Sequence, residues 1–254
     1  MLDATSGPMI FSVSSGKGGV GKTSLTVNLA FALSQKGLRV LVVDGDMGLA
    51  NVDVLLRLTV RKTIRDVLER GEDPLNAVVY VEPNFGVLPA SSGVPEMVDL
   101  GPEEHVLLGN ILKSIVRHFD YVLLDTAAGI GDSVIWFNTF ATHNLVIVTS
   151  DPTSMTDAYA LIKILSKDYG RKRFYLILNS VVSEREGLKT FDSMARVADR
   201  FLKIQPQYLG FVPKDKAVLK AVQEQVPFIK DAPWSKAAIA VGGLADRILK
   251  LKGE

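Results

Sequence analysis

The chain has 254 residues, 47% of them hydrophobic and 22% charged, with a formal net charge of +1. That balance suits an α/β protein long enough to bury a full core, and it gives no global electrostatic case for nucleic acid or for acidic substrates. There are no cysteines, which excludes disulfides, zinc–thiolate sites and iron–sulfur clusters.

Residues 1–8 are short and polar, with no charged region leading into an apolar one, so they do not read as a signal peptide. No apolar run reaches the roughly 18–20 residues that span a bilayer, and a cytoplasmic location is expected. Strands are expected at 9–14, 38–43, 85–88, 121–124, 144–149, 174–178 and 208–212, several of them continuous apolar runs of the kind buried on both faces. Helical patterns are expected at 22–35, 103–118, 154–167, 186–201 and 235–250. The alternation predicts an α/β protein, one doubly wound, mostly parallel sheet flanked by helices, over 1–254 as one domain. Residues 82–102 read as an irregular surface excursion. His105, His118 and His143 have no metal-ligand spacing and read as surface or helix-end residues.

Residues 16–23 read Gly16-Lys17-Gly18-Gly19-Val20-Gly21-Lys22-Thr23. This fits G-x-x-x-x-G-K-[ST] between an expected strand and an expected helix, the context in which a backbone loop cradles phosphates. Gly16, Lys17, Gly18, Gly19, Val20, Gly21, Lys22, Thr23 and Ser24 are the expected ATP/ADP contacts. Lys22 is expected on the β- and γ-phosphates and the Thr23 hydroxyl on Mg²⁺. The strand at 38–43 leads to Asp44 and Asp46. Asp46 is the candidate for orienting the attacking water and for holding a magnesium-bound water, and Asp44 reads as a structural residue behind the site. The strand at 121–124 leads to Asp125, a Walker B carboxylate in form, followed by Thr126-Ala127-Ala128-Gly129.

Lys17 goes beyond the general motif. With it, the loop resembles the deviant Walker A loop of the MinD/ParA family. The resemblance implies that Lys17 crosses a dimer interface to the partner's nucleotide, which makes Lys17, Lys22 and Asp46 the catalytic candidates. It also implies that Asn179, helped by backbone near Pro213, reads adenine. The lack of cysteine removes the iron-protein branches, one P-loop removes the fused arsenite-pump ATPases, and the tyrosine-free end removes the bacterial tyrosine kinases.

Within what is left, residues 48–56, 88–93, 125–133 and 152–163 look like the FlhG/FleN family, which controls flagellar number. That family implies an ATP-bound homodimer, slow hydrolysis, and as partners a FleQ-type activator, an FlhF-type GTPase or flagellar switch components. Fifteen residues precede Gly16, and this favours the FleQ-type partner over the GTPase. A MinD-like division protein, a ParA-like DNA partition protein and an amidoligase-like enzyme stand as alternatives; no direct nucleic-acid binding is expected. At the C-terminal end, Val241, Leu244, Ile248 and Leu251 share one helical face beside Arg247, Lys250 and Lys252. That stripe serves either as a reversible membrane anchor, placing the protein at the inner membrane face or the cell pole, or as a docking face for the body.

Overall fold

The run Val40-Leu41-Val42-Val43 is wholly buried, and successive residues go to different layers: Val40 and Val42 join one core cluster, Leu41 and Val43 another. A strand that is apolar on both faces needs helices on both sides. The computed structural model, which describes residues 7–46, 51–63, 66, 70–90 and 101–251, supplies them. Its strands are β1 Met9–Ser15, β2 Val40–Gly45, β3 Val79–Glu82, β4 Phe85–Leu88, β5 Tyr121–Ala128, β6 His143–Val148, β7 Phe174–Val181 and β8 Gln207–Pro213. They form one sheet in the order β3-β4-β2-β5-β1-β6-β7-β8, parallel throughout except for β3 against β4. The helices are α1 Lys22–Ser34, α2 Val52–Leu55, α3 Pro102–Val116, α4 Asp132–Phe140, α5 Pro152–Lys167, α6 Glu184–Leu202, α7 Lys216–Gln223, α8 Phe228–Asp231 and α9 Lys236–Lys250, with a 3₁₀ turn at Pro74–Ala77.

One core layer joins α1 and α9 to the face carrying Phe11, Val42 and Leu123. The opposite face is covered in two patches, by α3 through Leu108, Leu112 and Ile115 and by α5 through Leu161, Ile162 and Leu165. Inside this apolar frame sits a polar lattice in which every side chain is buried. Ser12 Oγ donates to Asn138 Oδ1 at 2.8 Å, and Asn138 Nδ2 donates to Ser14 Oγ at 2.8 Å. Asn144 Nδ2 donates to Ser12 Oγ at 2.9 Å, and Thr126 Oγ1 reaches Ser14 Oγ at 3.1 Å. The lattice ties β1 to β5, β6 and α4.

All seven expected strands and five expected helices are present, with shifted ends. β2 starts at Val40 rather than Leu38 and takes in Asp44 and Gly45; β5 runs past Asp125 to Ala128; β7 runs through Asn179 to Val181. β3, α2, the 3₁₀ turn, α4, α7 and α8 were not expected. The small helices span at most nine residues, too short to show a period of 3.6 against background. His143 is half-buried and opens a strand, not a helix end: it begins β6 between the rings of Phe11 and Tyr175, and burial lowers its pKa. Residues 48–50 and 91–93 of the motif segments, and Lys252, lie outside the described residues.

The two readings of the C-terminal stripe are separated by burial. Val241, Leu244 and Ile248 are 0%, 2% and 0% exposed, in the core layer that α9 shares with α1 and β8. Leu251 packs on the edge of that layer, and Arg247 Nη1 donates to the Leu209 carbonyl at 2.6 Å. In this structure the stripe is packed against the body. Among the described residues no helix is long and apolar enough to cross a membrane. Within α9, Gly242 and Gly243 have nothing within 4 Å of where a Cβ would stand. Replacing either by alanine is expected to stabilise the protein by about 1 kcal/mol, read from urea titrations, because alanine loses less backbone entropy in a helix.

Candidate functional site

β2, β5 and β1 are neighbours at the centre of the sheet, and their C-terminal ends open on one crevice, the usual ligand place in such sheets. From β1 the chain passes through residues 16–21 into α1. Gly16 is required by contact: a Cβ there would stand 2.1 Å from the Asp157 carbonyl carbon of α5. Gly21 is required by conformation as well, with φ of 85° at the N-cap of α1. No side chain caps that helix and its first turn holds no acidic residue. Its leading N–H groups and the positive end of its dipole are therefore left for an anion.

Asp125, 1% exposed, is the centre of the site. Lys22 Nζ donates to its Oδ1 at 2.9 Å, Thr26 Oγ1 to the same oxygen at 2.9 Å, and Thr23 Oγ1 to its Oδ2 at 2.7 Å. The lysine is itself buried, so each charge depends on the other. One strand away, Asp44 accepts three backbone bonds, from Asp46 N–H at 3.1 Å, Asn51 N–H at 3.1 Å and Val52 N–H at 3.2 Å. Burial first, and then the charge of Asp125, push its carboxyl up to about 7 against those three donors. Asp44 thus ties the Asp46 backbone to the start of α2.

The crevice is a cavity of about 710 Å³ lined by Gly18, Gly19, Gly21, Lys22, Thr23, Ser24 and Asp46. Asn51, Val54 and Leu55 of the α2 segment and Val222 and Gln225 of the α7 end complete it, together with Ser15 and the small Ala127 and Ala128. The volume falls in the range of ligand sites. Ser24 Oγ is buried without a hydrogen-bond partner, an acceptor and donor left for something outside the chain. Among the described residues no group of three His, Cys, Asp or Glu could hold a metal ion. A magnesium ion here would draw on phosphate oxygens besides the sequence candidates Thr23, Asp46 and Asp125, which is its habit in nucleotide sites. Magnesium and a nucleotide therefore fit the residues present.

The structure does not bring every candidate into this cavity. Val20 turns its side chain into the core. Lys17 points to the start of α5, where its Nζ donates to Thr153 Oγ1 at 2.6 Å and to Asp151 Oδ2 at 3.3 Å. Asp151, the N-cap of α5, has its pKa lowered to about 2, by the Thr153 hydroxyl and N–H and then by Lys17. Asn179 braces the phosphate loop: its Nδ2 donates to the Val20 carbonyl at 2.7 Å, and its Oδ1 accepts Ser180 N–H at 2.9 Å. Pro213 ends β8 beside a second cavity of about 460 Å³, next to Phe211, Lys236 and Arg247. Thr26, Asp151, Val54, Val222 and Gln225 went unnoticed in the sequence. Only Asp151 carried a signal, as Asp before Pro-Thr-Ser at a helix start.

The family model "CobQ/CobB/MinD/ParA nucleotide binding domain" matches residues 11–228. "Antiactivator FleN" of Pseudomonas aeruginosa is 45% identical over 240 residues, 94% of this chain and 85% of that protein. "Flagellum site-determining protein YlxH" of Helicobacter pylori is 33% identical, over 91% of this chain and 80% of that protein. Among solved structures, septum site-determining protein MinD of Pyrococcus horikoshii, complexed with Mg-ADP, superposes with a TM-score of 0.81 at 27% identity, covering 97% of this chain and 98% of that one. With the phosphate loop, the buried Lys22–Asp125 pair and the doubly wound sheet already in place, these matches make the chain a member of the CobQ/CobB/MinD/ParA nucleotide binding domain family.

Proposed function

We propose that this chain is a magnesium-dependent ATPase that dimerises on ATP and, in that form, restrains flagellar gene expression through a FleQ-type activator. The observation that carries the reading is the second lysine of the loop, Lys17, standing outside the chain's own cavity on an accessible ion pair, in a protein 45% identical to an antiactivator.

Each residue has a part. The N–H groups of 18–24 and the Lys22 ammonium bind the phosphates, and Ser24 offers its unpaired hydroxyl to them. Thr23, Asp46 and Asp125 would hold magnesium, the two carboxylates by way of its bound water. The ion would neutralise the negative charge that builds on the phosphates. Asp46, steadied by Asp44, orients the attacking water. Lys22 leaves Asp125 for the phosphates, a shift of partners that keeps both charges compensated. Lys17 supplies a cation to the nucleotide of a second copy. Asn179, which keeps a second amide hydrogen besides the one on Val20, and backbone near Pro213 face the base.

The test is mass in solution by light scattering, with Mg-ADP and with a non-hydrolysable ATP analogue. A monomer with ADP that doubles in mass with the analogue is expected, followed by capture of a FleQ-type activator by the dimer alone. Mass independent of nucleotide overturns the switch.

A further inference from the structure

Two helices that flank the cavity end in the same manner. At the end of α2, Arg57 has φ of 51° and Leu58 N–H donates to the Asp53 carbonyl at 2.9 Å. At the end of α7, Gln225 has φ of 53° and Val226 N–H donates to the Ala221 carbonyl at 3.0 Å. Each is a Schellman turn closed by one left-handed residue, where glycine is the usual occupant because a Cβ is strained there. Here both left-handed residues carry long polar side chains, and the side chains meet. Arg57 Nε donates to Gln225 Oε1 at 3.0 Å, and Gln225 Nε2 donates to the Val54 carbonyl at 3.0 Å.

The pair sits where it bears on the cavity. Val54, Leu55, Val222 and Gln225 line it, and Val54 and Val222 are 55% and 40% exposed, apolar surface left uncovered at the cavity. α2 is one turn of helix, held at its start by the Asp44 carboxylate. Its far end needs a second attachment if that wall is to stay in place. A glycine at 57 or 225 would satisfy each turn at less strain but would provide no link between them.

We propose that Arg57 and Gln225 form a clasp that holds the α2 and α7 walls together beside a bound nucleotide, and that these two positioning residues set how slowly the nucleotide leaves. The inference rests on the nucleotide site proposed above. It assigns to Arg57 and Gln225 retention of the ligand, whereas hydrolysis belongs to the loop, Asp46 and Lys17.

The experiment is stopped-flow release of N-methylanthraniloyl-ADP, chased with unlabelled ADP, from wild type, Arg57→Gly, Gln225→Gly and the double variant. Urea midpoints of the nucleotide-free proteins are measured alongside. Release is expected to speed up about fivefold to tenfold in each single variant, the scale of one or two net hydrogen bonds, and no further in the double variant. The midpoints are expected to hold or rise, because glycine relieves both left-handed residues. Unchanged release, effects that multiply in the double variant, or faster release with a matching fall in midpoint each overturn the clasp. A wild type that does not bind the labelled ADP overturns the nucleotide site itself, which separates the two failures.

Discussion

Lys17→Ala is expected to bind Mg-ATP with nearly wild-type affinity, to stay monomeric with the ATP analogue, and to hydrolyse ATP about a thousandfold more slowly. The expected size comes from cationic side chains supplied in trans in other nucleotide hydrolases. Binding survives because Lys17 does not line its own cavity, whereas Lys22 does. Its present partners hold it loosely: Lys17 and Asp151 are 41% and 48% exposed at 3.3 Å, and exposed ion pairs contribute little. The side chain can therefore leave Asp151 for a nucleotide on another copy at small cost. Titration calorimetry for binding and phosphate release for turnover make the check. An alanine variant that turns over at the wild-type rate removes Lys17 from the chemistry, and one that cannot bind ATP places its role within its own chain.

The second large effect concerns α9. Ile248→Ala is expected to destabilise the protein by about 2–5 kcal/mol, the range for emptying a fully buried aliphatic site, because Ile248 is 0% exposed. Ile239→Ala, on the same helix but 61% exposed, is expected within about 0.5 kcal/mol of wild type. Removing everything after Ala237 strips Val241, Leu244, Ala245 and Ile248 from the core together and is expected to give a chain that does not fold. Urea titrations of the two point variants and co-sedimentation with anionic vesicles with ATP decide between core and membrane. An Ile248→Ala protein of unchanged stability that has lost vesicle binding would make the helix a membrane element.

The phosphate loop and the strand carboxylates were legible because their meaning is local: a motif of eight residues, or an aspartate placed just past a short apolar run. The doubly wound sheet was legible because apolar runs alternated with amphipathic ones. What stayed hidden depends on distance along the chain. Asn138 reads as one polar residue in an apolar stretch until β1 and β6 are laid against α4. Gln225 falls in a stretch with no expected helix, and its role shows only when α7 ends beside α2. The stripe of α9 was visible as a stripe, yet periodicity tells only that one face is apolar and is silent on whether protein or lipid covers it. Arg57 was hidden for a further reason, since nothing in a side chain announces a positive φ.

The polar lattice around Ser12, Asn138 and Asn144 bears on how the chain reaches its fold. In a sheet with one wet face, a slip of one residue turns apolar side chains into water and is rejected. Here both faces are apolar, so a slipped β1 or β6 would still bury aliphatic groups, and hydrophobicity alone discriminates poorly between alignments. The paired positions Ser12 and Asn144 mesh with Asn138 in one alignment, and any other leaves amides and hydroxyls stranded without water. The lattice therefore acts as a proofreader during folding: it penalises misaligned sheets more than it strengthens the aligned one. It does so on β1, the strand whose end aims the phosphate loop.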